Sequence, residues 1–160
     1  MDPALTFEDI YRSHAADLYR FAYWLAGSKA EADDLTAEAF ARAFVSFGSI
    51  RSATVKGYLF TIVRNLHADS HRGRREERIP EHYDAADLAP GPEEQAIAAD
   101  RLEFTLERLA LLPYADRTAL LMRAEGGLAY EEIATALGIT VTTAKVKVHR
   151  AREKLAALNI

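Results

Sequence analysis

Three clusters of polar and charged side chains dominate this 160-residue chain, and each suits the binding of a charged partner better than catalysis. One lies near the C-terminus, where Lys145, Lys147, His149, Arg150, Arg152 and Lys154 follow the hydroxyls of Thr140, Thr142 and Thr143. Lysine and arginine neutralise backbone phosphates, while threonine, histidine and arginine also hydrogen-bond to base edges. A second cluster runs through Arg64, Asn65, His67, Asp69, His71, Arg72, Arg74, Arg75 and Arg78. Its members Arg64, His67, His71, Arg74 and Arg75 recur at three and four, so one side of a helix would carry them, with the Asn65 amide at its edge. The third is acidic: Glu31, Asp33, Asp34 and Glu38. Asp34 and Glu38 are like charges one helical turn apart, a small cost that points to a partner supplying positive charge. His67 and His71 have chelating spacing, but structural metal sites normally take four ligands with outer-shell support. His67 with Asp69 offers a second such pair, but nothing nearby completes the set among so many arginines, so no metal is expected. No nucleophile–base pair or phosphate-cradling glycine loop is present, and neither an enzyme nor a cofactor is expected.

The elements that would carry these clusters are helices. In Tyr130 to Leu155, Ile133, Ala134 and Leu137 share a face, Gly138 follows where a helix must stop, and Ile139 fills the corner. A second helix starts near Thr140 to Thr142, whose hydroxyls suit an N-cap, with Ala144, Val148, Ala151 and Leu155 inward and the basic residues outward. Small residue, glycine and apolar plug at these offsets predict a helix-turn-helix. Upstream, Phe7, Ile10, Leu18, Phe21 and Leu25 form one apolar stripe stopped at Gly27-Ser28, and Ser28 suits the N-cap of a helix over 30–47. A third helix is expected over 55–74, with Tyr58, Leu59, Ile62, Val63 and Leu66 apolar, after a polar loop whose pliability and neighbouring Tyr58 suit an unstacked base. Two more helices are expected over 96–112 and 114–125. Strand signals are absent.

Charge is segregated. The net charge is −4, yet residues 51–78 carry seven Lys/Arg against three Asp/Glu, and 140–160 five against one. Residues 79–99 hold five acids and no Lys or Arg, and Pro80, Pro90, Gly91 and Pro92 interrupt any period. The fold class expected is therefore all-α: two small helical domains, 1–76 and 96–160, joined by a flexible acidic linker over 77–95. There is no cysteine for a disulfide or thiolate site. No apolar run reaches the roughly 20 residues of a membrane span, so no membrane insertion and a cytoplasmic location are expected.

In order along the chain, these stretches resemble the extracytoplasmic-function (ECF) group of bacterial RNA polymerase sigma factors. LYRFAYWLAGSKAEADDLTAEAFARAF resembles the family's polymerase-binding helices, where an acidic A-(E/D)-D-L run precedes a helix. YLFTIVRNLHADSHR resembles the helix that melts and reads the −10 element, with Tyr58, Leu59, Ile62, Asn65, Asp69 and Arg72 on the pattern W-L-x-x-I-A-x-N-x-x-x-D-x-x-R. LPYADRTALLMRAEGGLAYEEIATALGITVTTAKVKVHRAREKL resembles the domain that reads the −35 element.

The resemblance implies core RNA polymerase, through the clamp of its β' subunit, and promoter DNA as partners, with room for an anti-sigma factor. It implies polymerase contacts at Asp33, Asp34, Leu35, Glu38 and Phe40. It implies −10 contacts at Tyr58, Arg64, Asn65, Asp69, Arg72, Arg74 and Arg75, and −35 contacts at Thr142, Thr143, Lys145, Lys147, His149, Arg150 and Arg152. Departures are local: Ala37 stands where the family usually has Gln, Tyr58 where it has Trp, Thr142-Thr143-Ala144 for G-T-V and Val146-Lys147 for S-R. The alternative is a one-component regulator that uses the same helix-turn-helix as a dimer on operator DNA.

Overall fold

In the computed structural model, residues 6–46, 55–72 and 92–158 are described, with side chains from residue 101 onward in the fourth helix. The linker over 77–91, the loop over 47–54, and Arg74, Arg75 and Arg78 lie outside these residues; Arg72 is described as backbone alone. Seven α-helices and no strand are found among the described residues: α1 (Phe7–Ala26), α2 (Lys29–Val45), α3 (Val55–Arg72), α4 (Pro92–Ala110), α5 (Tyr114–Gly126), α6 (Tyr130–Leu137) and α7 (Val141–Ala157).

Local chemistry sets the ends of these helices. Thr6 and Asp9 cap α1 reciprocally, each side chain bonding the other's backbone N–H at 3.1 Å. Gly27 ends α1 at φ 79°, and the Ser28 hydroxyl starts α2 by accepting from the Glu31 N–H at 3.2 Å. Helix α4 begins at Pro92, ahead of the residue 96 expected from periodicity. Proline suits a first helical position, because its missing N–H would have had no partner there. The same helix closes at Ala110, and the Leu111 and Leu112 N–H groups reach back to Arg108 and Leu109, each at 3.1 Å, in a tightened last turn.

Helices α1–α3 form one bundle, in which Ala22, Ala32, Ala39 and Ala43 let the helices approach closely around Leu18, Phe21, Leu59, Phe60 and Val63. Helices α5–α7 form another around Met122, Leu128, Ile133, Ala144 and Val148. The two are seated on each other, their buried residues forming one continuous core. Helix α5 lies against α1 and α3, and α6 against α3. At the centre of this seam the Phe60 ring packs on Phe21, centroids 4.8 Å apart, and its far edge meets the backbone of Gly126. Polar contacts line the rim, with Arg20 Nε 3.9 Å from Glu125 Oε1 and His67 Nδ1 2.8 Å from Tyr114 Oη.

Candidate nucleic-acid interface

The helix-turn-helix forms as the sequence predicts. Gly138 takes φ 67°, its N–H bonds the Thr135 carbonyl and the Ile139 N–H reaches back to Ala134 at 3.0 Å. That pair of bonds satisfies the carbonyls at the end of α6 and fixes the turn. Ala134 and Ala144, both buried, set the close crossing. Thr140 is the N-cap of α7: its hydroxyl accepts from the Thr143 N–H at 3.0 Å and donates to the Thr143 hydroxyl at 2.8 Å. Thr143 is thereby drawn into the cap, while Thr142 faces solvent.

One face of α7 packs Ala144, Val148 and Ala151 into the core. The other exposes Thr142, Lys145, Val146, His149 and Arg152. His149 is held loosely by Glu153, 3.5 Å away, and Lys145 Nζ lies 5.7 Å from the Tyr130 ring centroid. Val146 was not among the predicted contacts, though its side chain stands half-exposed between Thr142 and His149. An aliphatic group there could meet a thymine methyl. The surrounding valines hid the signal, since Val141 and Val148 are more deeply placed.

Two of the predicted DNA-contacting residues, Lys147 and Arg150, turn toward α5. Arg150 donates to both oxygens of Asp116, at 3.0 and 3.2 Å, and Lys147 Nζ lies 3.5 Å from the same carboxylate. Burial alone would raise the Asp116 pKa; the bonds and charges of Arg150 and Lys147 outweigh it and hold the carboxyl below its ordinary value. Asp116, in the first turn of α5, thus orients α7, a role that its sequence neighbourhood does not reveal.

On α3, Asn65 and Asp69 are exposed one turn apart, and Arg64 Nη1 donates to Asn65 Oδ1 at 3.0 Å. Tyr58 is half-buried at the other end of the helix. His67 departs from the expected basic surface: it is buried, 3 % exposed, between α3 and Tyr114 of α5. Its residue spacing carried that signal, because Leu59, Val63 and His67 are each four apart along the apolar stripe. Burial, helped by the charges of His71 and Arg117, pushes its pKa down to about 3, so the imidazole is neutral near neutral pH. Arg64 and Arg117 place their guanidinium carbons 5.9 and 5.3 Å from the Tyr114 ring centroid.

The acidic cluster divides likewise. Asp33, Asp34 and Glu38 are on the surface, and Arg42 Nε bonds Glu38 at 3.0 Å, offsetting the like-charge pair that the sequence shows. Leu35 and Phe40 are core residues, 7 % and 4 % exposed, with Phe40 at the floor of a groove. The groove runs between α1 and α2 past Phe7, Tyr11, Asp33, Thr36 and Phe44. Phe44 and Val45 stand at its end, 63 % and 86 % exposed, and the Thr36 hydroxyl is buried there with no hydrogen-bond partner. Four residues on from the buried Phe40, Phe44 has the spacing of an inward residue; the helix ends one residue beyond it and leaves the ring on the rim, edge-on to Phe7 at 5.0 Å.

Two family models match the chain: Sigma-70 region 2 over residues 10–77 and Sigma-70 region 4 over residues 105–155. Among curated relatives, the chain is 38% identical to the ECF RNA polymerase sigma factor EcfG of Rhodopseudomonas palustris, covering 88% of this chain and 78% of that one. It is 37% identical to the ECF sigma factor SigE of Mycolicibacterium smegmatis over 94% of its own length, while spanning 60% of that relative. Its fold is similar to the sigma factor RpoE of Bartonella quintana, solved with the anti-sigma factor NepR, at a TM-score of 0.69 and 25% identity over 94% of this chain and 96% of that one. It is also similar to CnrH, solved with the cytosolic domain of CnrY, at a TM-score of 0.72 over 95% and 86% of the two chains.

Proposed function

The chain belongs to the ECF sigma factors of bacterial RNA polymerase, and on that premise we propose how its surfaces divide the work of promoter-specific initiation. The exposed front of α7 is the observation that carries the reading: Thr142, Lys145, Val146, His149 and Arg152 on the second helix of a helix-turn-helix, shaped for the major groove of the −35 element. Lys145 and Arg152 neutralise phosphates, the N-terminus of α7 with Thr142 receives one more, and His149 and Val146 meet base edges. Arg150, pinned to Asp116, sets the pitch of the helix and contributes charge from its exposed flank.

Helix α3 takes the −10 element. Asn65, with Arg64 beside it, holds an unstacked base, and the basic residues through Arg75 follow the backbone. Capturing a base offsets unstacking, which costs a few kcal/mol, so melting needs no nucleotide hydrolysis by this chain. Helix α2 docks on the polymerase clamp: Asp33 and Asp34 supply the charge, and the groove at Phe44 and Val45 supplies apolar area. The Thr36 hydroxyl at the groove floor gains a partner when the groove is filled. Among the described residues no helix is long and apolar enough to cross a membrane, and the reading places the protein in the cytoplasm with its polymerase. An anti-sigma factor is the regulatory partner that the RpoE complex with NepR supports.

The division of labour is tested by Asp34→Arg. Affinity for core polymerase should fall at least tenfold in fluorescence anisotropy, while binding of an isolated −35 duplex stays within twofold. Equal loss of both would contradict the assignment, and a dimer that grips palindromic DNA without polymerase would favour the one-component regulator.

A further inference from the structure

Helices α2 and α3 bring together three groups that the DNA and polymerase surfaces do not use. Glu31 Oε2 lies 2.7 Å from His71 Nε2 and 3.9 Å from His67 Nε2. All three atoms are within 4.8 Å of one another. The spacing of His67 and His71 alone offers two ligands; the fold adds a third from 40 residues upstream of His71.

The geometry suits a small transition-metal ion. Bonds of about 2.0–2.2 Å to nitrogen and oxygen in a tetrahedral shell place neighbouring ligand atoms roughly 3.3 to 3.6 Å apart; Glu31 and His71, hydrogen-bonded at 2.7 Å, would part by less than about 1 Å around an ion, and Glu31 and His67, at 3.9 Å, would close by less than that. A gap of 3.9 Å is too long for a hydrogen bond between His67 and Glu31. It leaves room for an ion between the two atoms. The other ring nitrogen of His67 meets Tyr114 Oη at 2.8 Å, and metal-binding histidines are ordinarily oriented by such a bond on the nitrogen away from the ion. Two imidazoles and a carboxylate match Zn(II) and its neighbours better than Mg(II) or Ca(II). The Arg117 charge near Tyr114 opposes a cation, the Glu31 carboxylate favours one, and a half-exposed His71 leaves a position open to water.

We infer that Glu31, His67 and His71 form an exchangeable site for a Zn(II)-class transition metal, with Tyr114 holding His67 in register from the adjoining helix. Because Tyr114 belongs to α5, the ion and the seating of α5 on α3 are coupled: whatever Tyr114 adds to metal affinity, the metal returns to the closed packing. The site needs neither polymerase nor promoter, so its test is independent of the transcription reading.

Untagged full-length protein, stripped with a chelator, is titrated with Co(II) by visible absorption and with Zn(II) by calorimetry. One ion per chain is expected, with the d–d bands of a low-coordinate Co(II) that Zn(II) displaces. Glu31→Gln and His71→Ala should each lower affinity at least tenfold with an unchanged circular dichroism spectrum. Tyr114→Phe should weaken binding roughly tenfold or more at the same stoichiometry. Absence of saturable one-to-one binding would overturn the site, as would wild-type affinity in both Glu31→Gln and His71→Ala. A readout that does not depend on variants comes from imidazole nitrogen resonances: Zn(II) must shift the Nε2 signals of both His67 and His71, and unmoved signals would refute the assignment.

Discussion

Gly126→Ala is the most direct perturbation of the seam between the two helical blocks. A Cβ at this position would lie 2.8 Å from Phe60 Cε2 and 3.0 Å from Cζ, well inside ordinary van der Waals contact. Phe60 cannot simply swing aside, because it is fully buried and its ring is packed against Phe21 at 4.8 Å. Overpacking of this kind costs about 1–3 kcal/mol. Alanine also gains up to about 1 kcal/mol in helix propensity, and the new Cβ meets Leu128 at 3.2 Å within its own block. Both of these effects act whether or not the blocks touch, so they cancel in the equilibrium between closed and open arrangements. The Phe60 clash does not cancel. The closed form should therefore lose roughly 5- to 150-fold in population relative to the open form. The chain has no cysteine, so Ser13→Cys and Ala156→Cys, both at exposed positions, accept spin labels cleanly. Wild-type protein should give one narrow distance distribution by double electron–electron resonance, and Gly126→Ala should add a longer, broader population. Identical distributions in the two proteins would refute the claim that Phe60 and Gly126 hold the seam.

Other expectations follow from single contacts. Asp116→Asn keeps the shape but loses the charge that Arg150 and Lys147 share; with Arg150 free to rehydrate, the cost should be about 1–3 kcal/mol by urea unfolding, and −35 binding should weaken beyond that of an equally destabilised core variant. Unchanged stability would mean that the ion pair does not anchor α7. The lowered pKa of His67, about 3, is accompanied by an ordinary value near 6.5 once the chain unfolds. Stability from this group is therefore full above about pH 6.5 and is lost as pH falls toward 3, at about 1.4 kcal/mol per pH unit. Between pH 7.5 and 5.0, in chelator, the loss attributable to His67 should be about 2 kcal/mol. His14, also depressed by burial, adds its own slope in this window, while depressed carboxyls such as Asp17 and Asp116 act only at lower pH; His67→Gln should flatten the slope by the His67 share, and an equal slope in both proteins would place His67 in solvent.

Helix ends and the helix-turn-helix were legible because the chemistry that sets them is local. Ser28, Thr140, Gly27 and Gly138 each act within five residues of their partners, and α6 begins and ends at the residues that periodicity indicates. The candidate DNA face of α7 was legible for the same reason, except where Lys147 and Arg150 answer to Asp116 more than thirty residues away. The face of α3 was less so. Spacing from Arg64 and His71 puts His67 on a basic side, although its spacing from Leu59 and Val63 marks the apolar stripe; Tyr114, 47 residues on, seals it into the seam. The resemblance puts Leu35 and Phe40 among the polymerase contacts, yet their spacing with Ala32, Ala39 and Ala43 turns both into the core. The packing of one block on the other had no local signature, since it depends on a glycine at 126 facing an aromatic ring at 60.

The central claim, that this chain directs core polymerase to chosen promoters, is tested most directly by transcription from a pool of randomised promoter templates with core polymerase and the purified protein. Run-off products should come from templates sharing two short elements at a fixed spacing, and Lys145→Ala with His149→Ala should relax selection at the upstream element alone. Products no more selective than those of core polymerase by itself would contradict the account.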